Sequence, residues 1–246
     1  VARSAGSGTP TYTRASTAWT KLSSGLWASV ASGTARSVYT GQDTAVGSYG
    51  GYFAEAAGTQ LVTPTSSIRD MKNAAWVKVT MTTAKTSTGI DGTATSCTRC
   101  TATGANSTIL QTLVAAATSR TYSAFLKRVT GTGVIGICQD GVTFTDITAQ
   151  VPSDGAFHRV SLTASQLNAV FGLRLVTSAD AIDVDFNQFE SASGVTPLGS
   201  SPMDAAGAAR AADALSYVLA SNINQVTGAL YAEWFSPVSA LKTIVQ

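Results

Sequence analysis

Apolar and polar residues alternate from residue 182 to residue 190, which is typical of a β-strand with one buried and one solvent-facing side. The residues expected to face the core are Ile182, Val184, Phe186 and, after a shift, Phe189. The residues expected to face solvent are Asp183, Asp185 and Asn187. We expect this segment to be the last strand of a β-sandwich. A solvated strand face is the first interpretation of its polar residues, and a sugar or cation site is the alternative.

Further short segments with the same alternation occupy the middle of the chain. They lie at residues 76–82, 108–114, 121–129, 134–139, 157–163 and 171–177. Residues 68–75 also allow a helix of two turns. Because turn-forming residues separate the segments every 8 to 12 residues or so, without an amphipathic helix between them, the pattern predicts an all-β fold. The expected architecture is an antiparallel β-sandwich of the jelly-roll type, preceded by an extended, oligomer-forming N-terminal β region.

The domain division expected from these patterns has three parts. Residues 1–64 form an extended attachment and oligomerisation region, residues 65–200 form the sandwich, and residues 201–246 form a linker and the start of a further β region. The N-terminal β-like pieces, at 26–30, 35–39 and 51–55, are too short to bury a face alone. This region is therefore expected to pack on the next domain or on sister chains.

The local signals conflict after residue 202. Residues 204–213 combine a helix-capping Asp with an Ala-rich run, and their conformation stays undecided. Residues 215–219 and 229–235 are predicted to be strands. Two strands alone are marginal in water, so we expect a further domain or partner chains to continue this sheet.

The composition is that of a globular chain with an unusually uncharged surface. The 246 residues are 44% hydrophobic and only 12% charged, about half of the roughly 25% usual for soluble globular proteins. Such a surface suits a rigid extracellular or virion part. The net charge of +2 without a dense basic run excludes nucleic acid as the main partner. No apolar run approaches the roughly 20 residues needed for membrane insertion, and because the chain starts at Val1, we expect sequence upstream of it.

The cysteines do not predict a zinc site or another cofactor. Cys97 and Cys100 have C-x-x-C spacing, but a structural zinc site needs a second pair of ligands, and only Cys138 and His158 remain. The segment 95–103 is Thr-rich and turn-prone rather than the start of a helix, as a redox motif would require. Ordinary reduced thiols are expected.

Catalytic and metal sites are not predicted either. A glycoside hydrolase needs two carboxylates across a cleft, whereas nothing in the sequence places Asp183, Asp185 or Glu190 on opposing walls. His158, the single histidine, has no nucleophile-elbow sequence near it. The loop carboxylates that could bind calcium, but are expected to be solvated turn residues, are Asp140, Asp146 and Asp180.

Aromatic residues supply the remaining candidates for ligand contacts. Trp76 and Phe157 each begin an alternating segment and are expected in the core. Trp27, Tyr49 and Tyr52 lie in loop-like context, where they are either exposed contacts or packed between chains. The predicted ligand-binding residues are Trp27, Tyr49, Tyr52, Asp183, Asp185 and Asn187.

A series of short motifs occurs in a fixed order along residues 11–213. They are Tyr12–Ser16, Ala35–Tyr39, Gly51–Ala56, Thr59–Leu61, Trp76, Asp91–Ala94, Tyr122–Lys127, Phe157–Ser161, Asn187–Glu190 and Ala209–Asp213. With its motifs in this order, the chain resembles tailed-bacteriophage fibre and head-spike proteins. Many of these proteins contain a jelly-roll module similar to carbohydrate-binding modules. Such modules usually have Trp where this chain has Phe157, and Asn is common where Gln60 stands.

The resemblance implies a virion structural protein on the surface of the phage particle. It implies a fibre or head-decoration subunit without catalytic residues, assembled as a homo-oligomer, often a trimer, and attached to capsid or tail proteins. A host surface glycan is a further partner that it suggests. The alternatives are a glycan-binding receptor module and a tail-spike polysaccharide hydrolase.

Overall fold

The computed structural model describes residues 11–22, 24–35, 37–39, 49–52, 57–191, 201–203, 209–212 and 214–216. Within these residues the helical structure consists of two short 3-10 turns, at Thr65–Ser67 and Thr148–Gln150. None of the helical segments in these ranges has the length and apolar character needed to cross a membrane.

Strands make up most of the regular structure in the described ranges. In chain order they are β1 (Thr11–Thr13), β2 (Ala18–Lys21), β3 (Trp27–Val30), β4 (Ser37–Tyr39), β5 (Tyr49–Tyr52), β6 (Gly58–Thr59), β7 (Val77–Val79), β8 (Met81–Ser87), β9 (Cys97–Ala102), β10 (Ser107–Thr112), β11 (Thr118–Thr130), β12 (Ile135–Cys138), β13 (Thr145–Asp146), β14 (His158–Gln166), β15 (Val170–Leu175), β16 (Ala181–Ser191), β17 (Ala209–Arg210) and β18 (Ala214–Ser216).

Two five-stranded sheets form the sandwich. Sheet one has the strand order β13-β12-β15-β10-β7, and sheet two has the order β14-β11-β16-β9-β8. Neighbouring strands are antiparallel in both. The chain passes from one sheet to the other at each step from β9 to β12 and again from β13 to β16, as in a jelly roll. The predicted all-β antiparallel sandwich is therefore confirmed, and β16 is the last of its strands among the described residues.

Most predicted strands are present, but the region before residue 103 differs from the prediction. The segment 76–82 is two strands in different sheets, because Thr80 between them has a positive φ of 48° that redirects the chain. The segment 95–103, predicted to be a turn, contains β9. The alternative of a helix over 68–75 is wrong, since turns occupy this segment.

An aromatic cluster fills the space between the sheets. Phe171 of sheet one stacks on Phe189 of sheet two, with ring centroids 4.2 Å apart. Trp76 and Tyr122 pack edge-on or tilted against Phe171, at 5.7 and 5.1 Å. All four side chains are buried, which confirms the expected place of Trp76. Phe157 is half-buried at the margin of the core.

A β-bulge in β16 changes which side chains face the core. Ser123 of β11 is opposite Gln188, whereas Phe125 is opposite Asp185, so β16 contains one extra residue between them. Phe186 lies in this bulge with a φ of 44°. Beyond an inserted residue the side chains exchange faces. Phe189 therefore faces the space between the sheets after the anticipated shift. Phe186 belongs to the buried core as predicted, at 1% exposure, but it packs on the outer face of sheet two, against Trp19, rather than between the sheets.

The hairpin formed by β2 and β3 covers part of that outer face. Trp19 packs edge-on against Phe186 at 4.9 Å, and Trp27 packs against Phe125 at 5.5 Å. The piece predicted at 26–30 corresponds to β3 and packs on the sandwich of the same chain, which is one of the two arrangements expected for this region. The division at residues 64 and 200 stays a prediction.

The C-terminal predictions are only partly covered by the structure. Residues 209–210 form β17 rather than helix, and β18 agrees with the start of the strand predicted at 215–219. The rest of that strand and the strand predicted at 229–235 lie outside the described residues.

Candidate functional site

The polar residues of β16 are buried. Asp183, Asp185 and Asn187 each have 0% of their surface exposed, so the interpretation of a solvated strand face is wrong. Other parts of the chain supply their hydrogen-bond partners, as a buried charge or amide requires. Their predicted part in ligand binding stays a prediction, but the structure gives each of them protein partners.

Asp185 is bound by Arg69 from the turns before the first sandwich strand. Arg69 donates from Nε and Nη2 to the two oxygens of Asp185, at 2.8 and 2.9 Å, and the Ile90 amide donates to Oδ2 at 2.9 Å. The same guanidinium donates to both oxygens of Asp91, at 2.8 and 2.9 Å, and lies 4.3 Å from the Phe186 ring centroid. Burial raises the pKa of Asp185, and the bonds from Arg69 work against that rise.

Asn187 and Gln60 connect the next part of β16 to residues 60–68. The Tyr122 hydroxyl donates to Asn187 Oδ1 at 2.8 Å, and the Asn187 side-chain amide donates to the Ile68 carbonyl at 3.1 Å. Gln60 Oε1 accepts from the Phe189 amide at 2.9 Å, while Gln60 Nε2 donates to the Asn187 carbonyl at 3.1 Å. These bonds satisfy the part of β16 that lies beyond its ladder with β9.

Asp183 lies between two cations that reach solvent. Arg99 of β9 and Lys127 of β11 are its direct partners in the two neighbouring ladders, so the three side chains share one face. Arg99 donates from Nε and Nη2 at 2.9 and 3.2 Å, and Lys127 Nζ lies 3.0 Å from Asp183 Oδ2. Ser87 donates to Oδ1 at 2.7 Å.

Around Asp183, the side chains that reach solvent are hydrogen-bond donors. The side chains of Arg99 and Lys127 are 39% and 23% exposed, against 0% for Asp183. Burial by itself would raise the pKa of Asp183, but the bonds from Arg99, Ser87 and Lys127 outweigh it and lower the pKa below its ordinary value. Asp183 is therefore ionised at neutral pH and holds both cations in place.

Phe157 adds an aromatic surface beside Lys127. Lys127 Nζ lies 4.9 Å from the centroid of its ring, which is half-buried. We call Arg99, Asp183, Lys127 and Phe157 the cationic strip. Of these four residues only Asp183 was predicted to bind a ligand. Phe157 was expected in the core, and Arg99 and Lys127 were not predicted at all. Arg99 and Lys127 could be found only by knowing that β9 and β11 lie next to β16. The sequence does not show this strand order.

The aromatic residues predicted for ligand contact have different surroundings. Trp27 lies in β3 and packs on Phe125, so the loop-like context was wrong. Tyr49 and Tyr52 lie in β5, and their side chains are outside the described part of the structure. The ligand-binding role of these three residues stays a prediction, and the structure does not bring Trp27 into the cationic strip.

The cysteines are unpaired and buried. Burial raises the pKa of Cys97 and of Cys100 to about 12, which keeps both thiols protonated at neutral pH. Both residues are therefore buried thiols rather than exposed thiolates.

The loop carboxylates serve local structure. Asp140 accepts from the Val142 amide and Asp146 from the Thr148 amide, each at the turn where it was expected. Asp180 is buried, contrary to expectation, because its carboxylate accepts from the Gly133 amide at 2.9 Å and lies 3.8 Å from Arg128. In the described ranges no three His, Cys, Asp or Glu residues are grouped closely enough to hold a metal ion.

Comparisons with known proteins give structural likenesses at low sequence identity. No family model matches the chain, and no curated protein matches it. The C-terminal CBM6 of LamC, a laminarinase from Zobellia galactanivorans, matches with a TM-score of 0.33 and 13% identity over 47% of this chain and 90% of the other. The CBM22-1 xylan-binding domain of Xyn10C from Paenibacillus barcinonensis matches with a TM-score of 0.38 and 12% identity, over 56% and 97%.

The enzymatically active domain of tailspike protein 4 of bacteriophage CBA120 also matches. Its TM-score is 0.36 and its identity 14%, over 53% of this chain and 21% of that chain. The two modules and the tailspike domain are thus similar to about half of the present chain.

Removing the cation that binds Asp185 should destabilise the fold. Arg69→Met leaves a fully buried carboxylate without its ion-pair partner, and we expect the free energy of unfolding to fall by about 3 kcal/mol or more. Urea denaturation measures the loss. Lys72→Met, at an exposed lysine in the same turns, should change stability by less than about 0.5 kcal/mol. The double variant Arg69→Met/Asp185→Asn should recover part of the loss, and equal stability of Arg69→Met and the parent would contradict this role.

The pair between Asp91 and Arg69 should give a defined dependence on pH. Burial alone would raise the pKa of Asp91, but the bonds from Arg69 and the Thr93 amide lower it to about 2. Because the folded-state pKa lies below the unfolded value, ionised Asp91 stabilises the fold above about pH 4, and this contribution is lost as the pH falls towards 2. Asp91→Asn should therefore cost about 1 kcal/mol at pH 7, after allowance for solvent screening, and close to nothing at pH 2. Parallel urea titrations at both pH values measure the difference, and a cost independent of pH would contradict the assignment.

Proposed function

We propose that this chain is a non-enzymatic structural subunit of a tailed-bacteriophage particle, in a fibre or head decoration, whose sandwich contacts glycan on the host surface. The observation that carries the glycan part is the cationic strip. It combines a half-buried aromatic ring with two cations that an internal carboxylate holds in position. A rigid ring and a few oriented donors are what sugar recognition requires.

The assignment to a virion rests on the ordered sequence motifs and the low-charge surface. Only 12% of the chain is charged, which suits a stiff projection better than an enzyme in solution. Burial of the central strand β16 on both faces, from Ala181 to Glu190, also suits a rigid part.

The arrangement of the carboxylates supports binding rather than hydrolysis. Asp183 and Asp185 lie two residues apart on one side of the same strand, and each accepts two hydrogen bonds from an arginine. A hydrolase needs its two carboxyl groups on either side of the glycosidic bond, with one of them able to give up a proton. Carboxylates held by guanidinium groups at 0% exposure do not meet that requirement.

The edge of sheet one supports association of several copies. Strand β7 is an edge strand, and Val77 and Val79 on its surface are 63% and 53% exposed. Unprotected sheet edges with apolar side chains invite pairing with another chain. A trimer in which each copy covers this edge of its neighbour is the form we propose, since cyclic symmetry closes such contacts.

Glycan binding should depend on Phe157. On an array of bacterial surface glycans, Phe157→Ala is expected to reduce binding about tenfold or more, because losing a central aromatic contact commonly costs over 1 kcal/mol. Phe144→Ala is the matched control, since Phe144 is also a half-buried ring with a cation, Arg174, at 4.4 Å from its centroid, but lies outside the strip.

Three results would count against this function. They are the lack of any glycan signal, equal loss in both phenylalanine variants, and release of oligosaccharide from host polysaccharide by the purified chain. The last result would favour a hydrolase instead.

Association should depend on the edge strand β7. Sedimentation at micromolar concentration is expected to give about three times the chain mass of 25.1 kDa, and Val79→Asp should yield monomers, because a buried unpaired charge opposes association. Val142→Asp is the control at a valine that is 80% exposed in a loop. A monomer that remains folded on dilution to nanomolar concentration would contradict the oligomer.

A further inference from the structure

We infer that the glycan bound at the cationic strip is acidic, with a carboxylate group held by Arg99 and Lys127. This inference rests on the proposed glycan-binding function and names the class of ligand. It follows from which polar groups of the strip reach solvent and which do not.

The exposed groups of the strip can donate but cannot accept hydrogen bonds. A guanidinium has five N–H donors and an ammonium has three, and neither has an acceptor. Asp183 uses two donors of Arg99 and one of Lys127. Nη1 of Arg99 has no hydrogen-bond partner among the described residues. The strip therefore offers donors to a ligand, while its one acceptor is fully buried.

The charge of the strip favours an anion over a neutral hydroxyl group. Two cations and one carboxylate leave it with a net charge of +1. Hydrogen bonds from a cation to an anionic oxygen are shorter and about twice as strong as those between neutral groups. A planar carboxylate on the sugar would thus gain more from these donors than a hydroxyl would.

Asp183 prepares the two cations for this role. It holds Arg99 through both of its oxygens and receives Lys127 on Oδ2, while Ser87 donates to Oδ1. Because the side chains are already fixed, less conformational entropy is lost when an anion binds. The carboxylate also keeps two like charges close together without strong repulsion.

The neighbouring charges predict how the ligand is oriented on the strip. Further along β16, the group of Arg69, Asp185 and Asp91 carries two carboxylates and one cation, a net charge of −1. At the other side, Asp154 is 47% exposed and paired with His158, next to Phe157. We expect the acidic group to lie over Arg99 and Lys127, with an uncharged face of the sugar against the Phe157 ring.

The experiment compares an acidic polysaccharide with the same polysaccharide after its carboxyl groups have been reduced to alcohols. Titration calorimetry at low salt should show at least about tenfold tighter binding of the acidic form, and the preference should shrink in 1 M NaCl, where screening is strong. Arg99→Met and Lys127→Met should each remove most of the preference. Lys72→Met, which changes the net charge equally at an exposed site outside the strip, should keep it.

The outcomes separate this inference from the proposed function. Equal binding of the acidic and the reduced polysaccharide, with Phe157→Ala still defective, would overturn the acidic ligand and leave glycan binding in place. Binding of neither form, nor of any glycan on the array, would overturn both. Arg99→Lys guards against a folding defect, because it keeps the charge and should keep more of the preference than Arg99→Met.

Discussion

Burial of an ionised row on the central strand of sheet two is the constraint on which the rest of the structure depends. Asp183 and Asp185 lie at 0% exposure, where an unpaired carboxylate would cost several kcal/mol. Residues from distant segments of the chain supply the ion-pair partners that offset this cost. Arg69 is 116 residues from Asp185, and Arg99 is 84 residues from Asp183. These long-range pairs fix where residues 60–70 and 87–99 lie against the sandwich.

The bulge at Phe186 makes this arrangement possible. Before it, the aspartates face outward to meet Arg69, Arg99 and Lys127. After it, Asn187 and Phe189 reach the interior, where Asn187 accepts from the Tyr122 hydroxyl. Without the extra residue, the alternation would place Phe189 outside and deprive Phe171 of its stacking partner. One inserted residue thus lets a single strand contribute charged partners to one layer and aromatic packing to the other.

The sandwich was predictable because its strands show the period of two and are separated by turn residues. The burial of Asp183 and Asp185 was not predictable. The alternation along the strand is the same whether these side chains face water or an arginine from elsewhere in the chain. Strand β9 was missed because its Thr and Cys residues also suit a turn, and only the core contacts of Cys100 and Ala102 show otherwise. Arg99 and Lys127 became candidates only when the ladders placed them beside Asp183.

The same burial determines how the polar groups of the outer face are held. Hydrogen bonds from Arg99, Ser87 and Lys127 favour the charged form of Asp183 and lower its pKa, so the carboxylate stays ionised near neutral pH. It holds Arg99 and Lys127 in one geometry while both side chains remain partly exposed to solvent. In the proposed glycan site the carboxylate would therefore act through its neighbours rather than by contact with the ligand. Side chains that are already held in place lose less conformational entropy when a ligand binds to them.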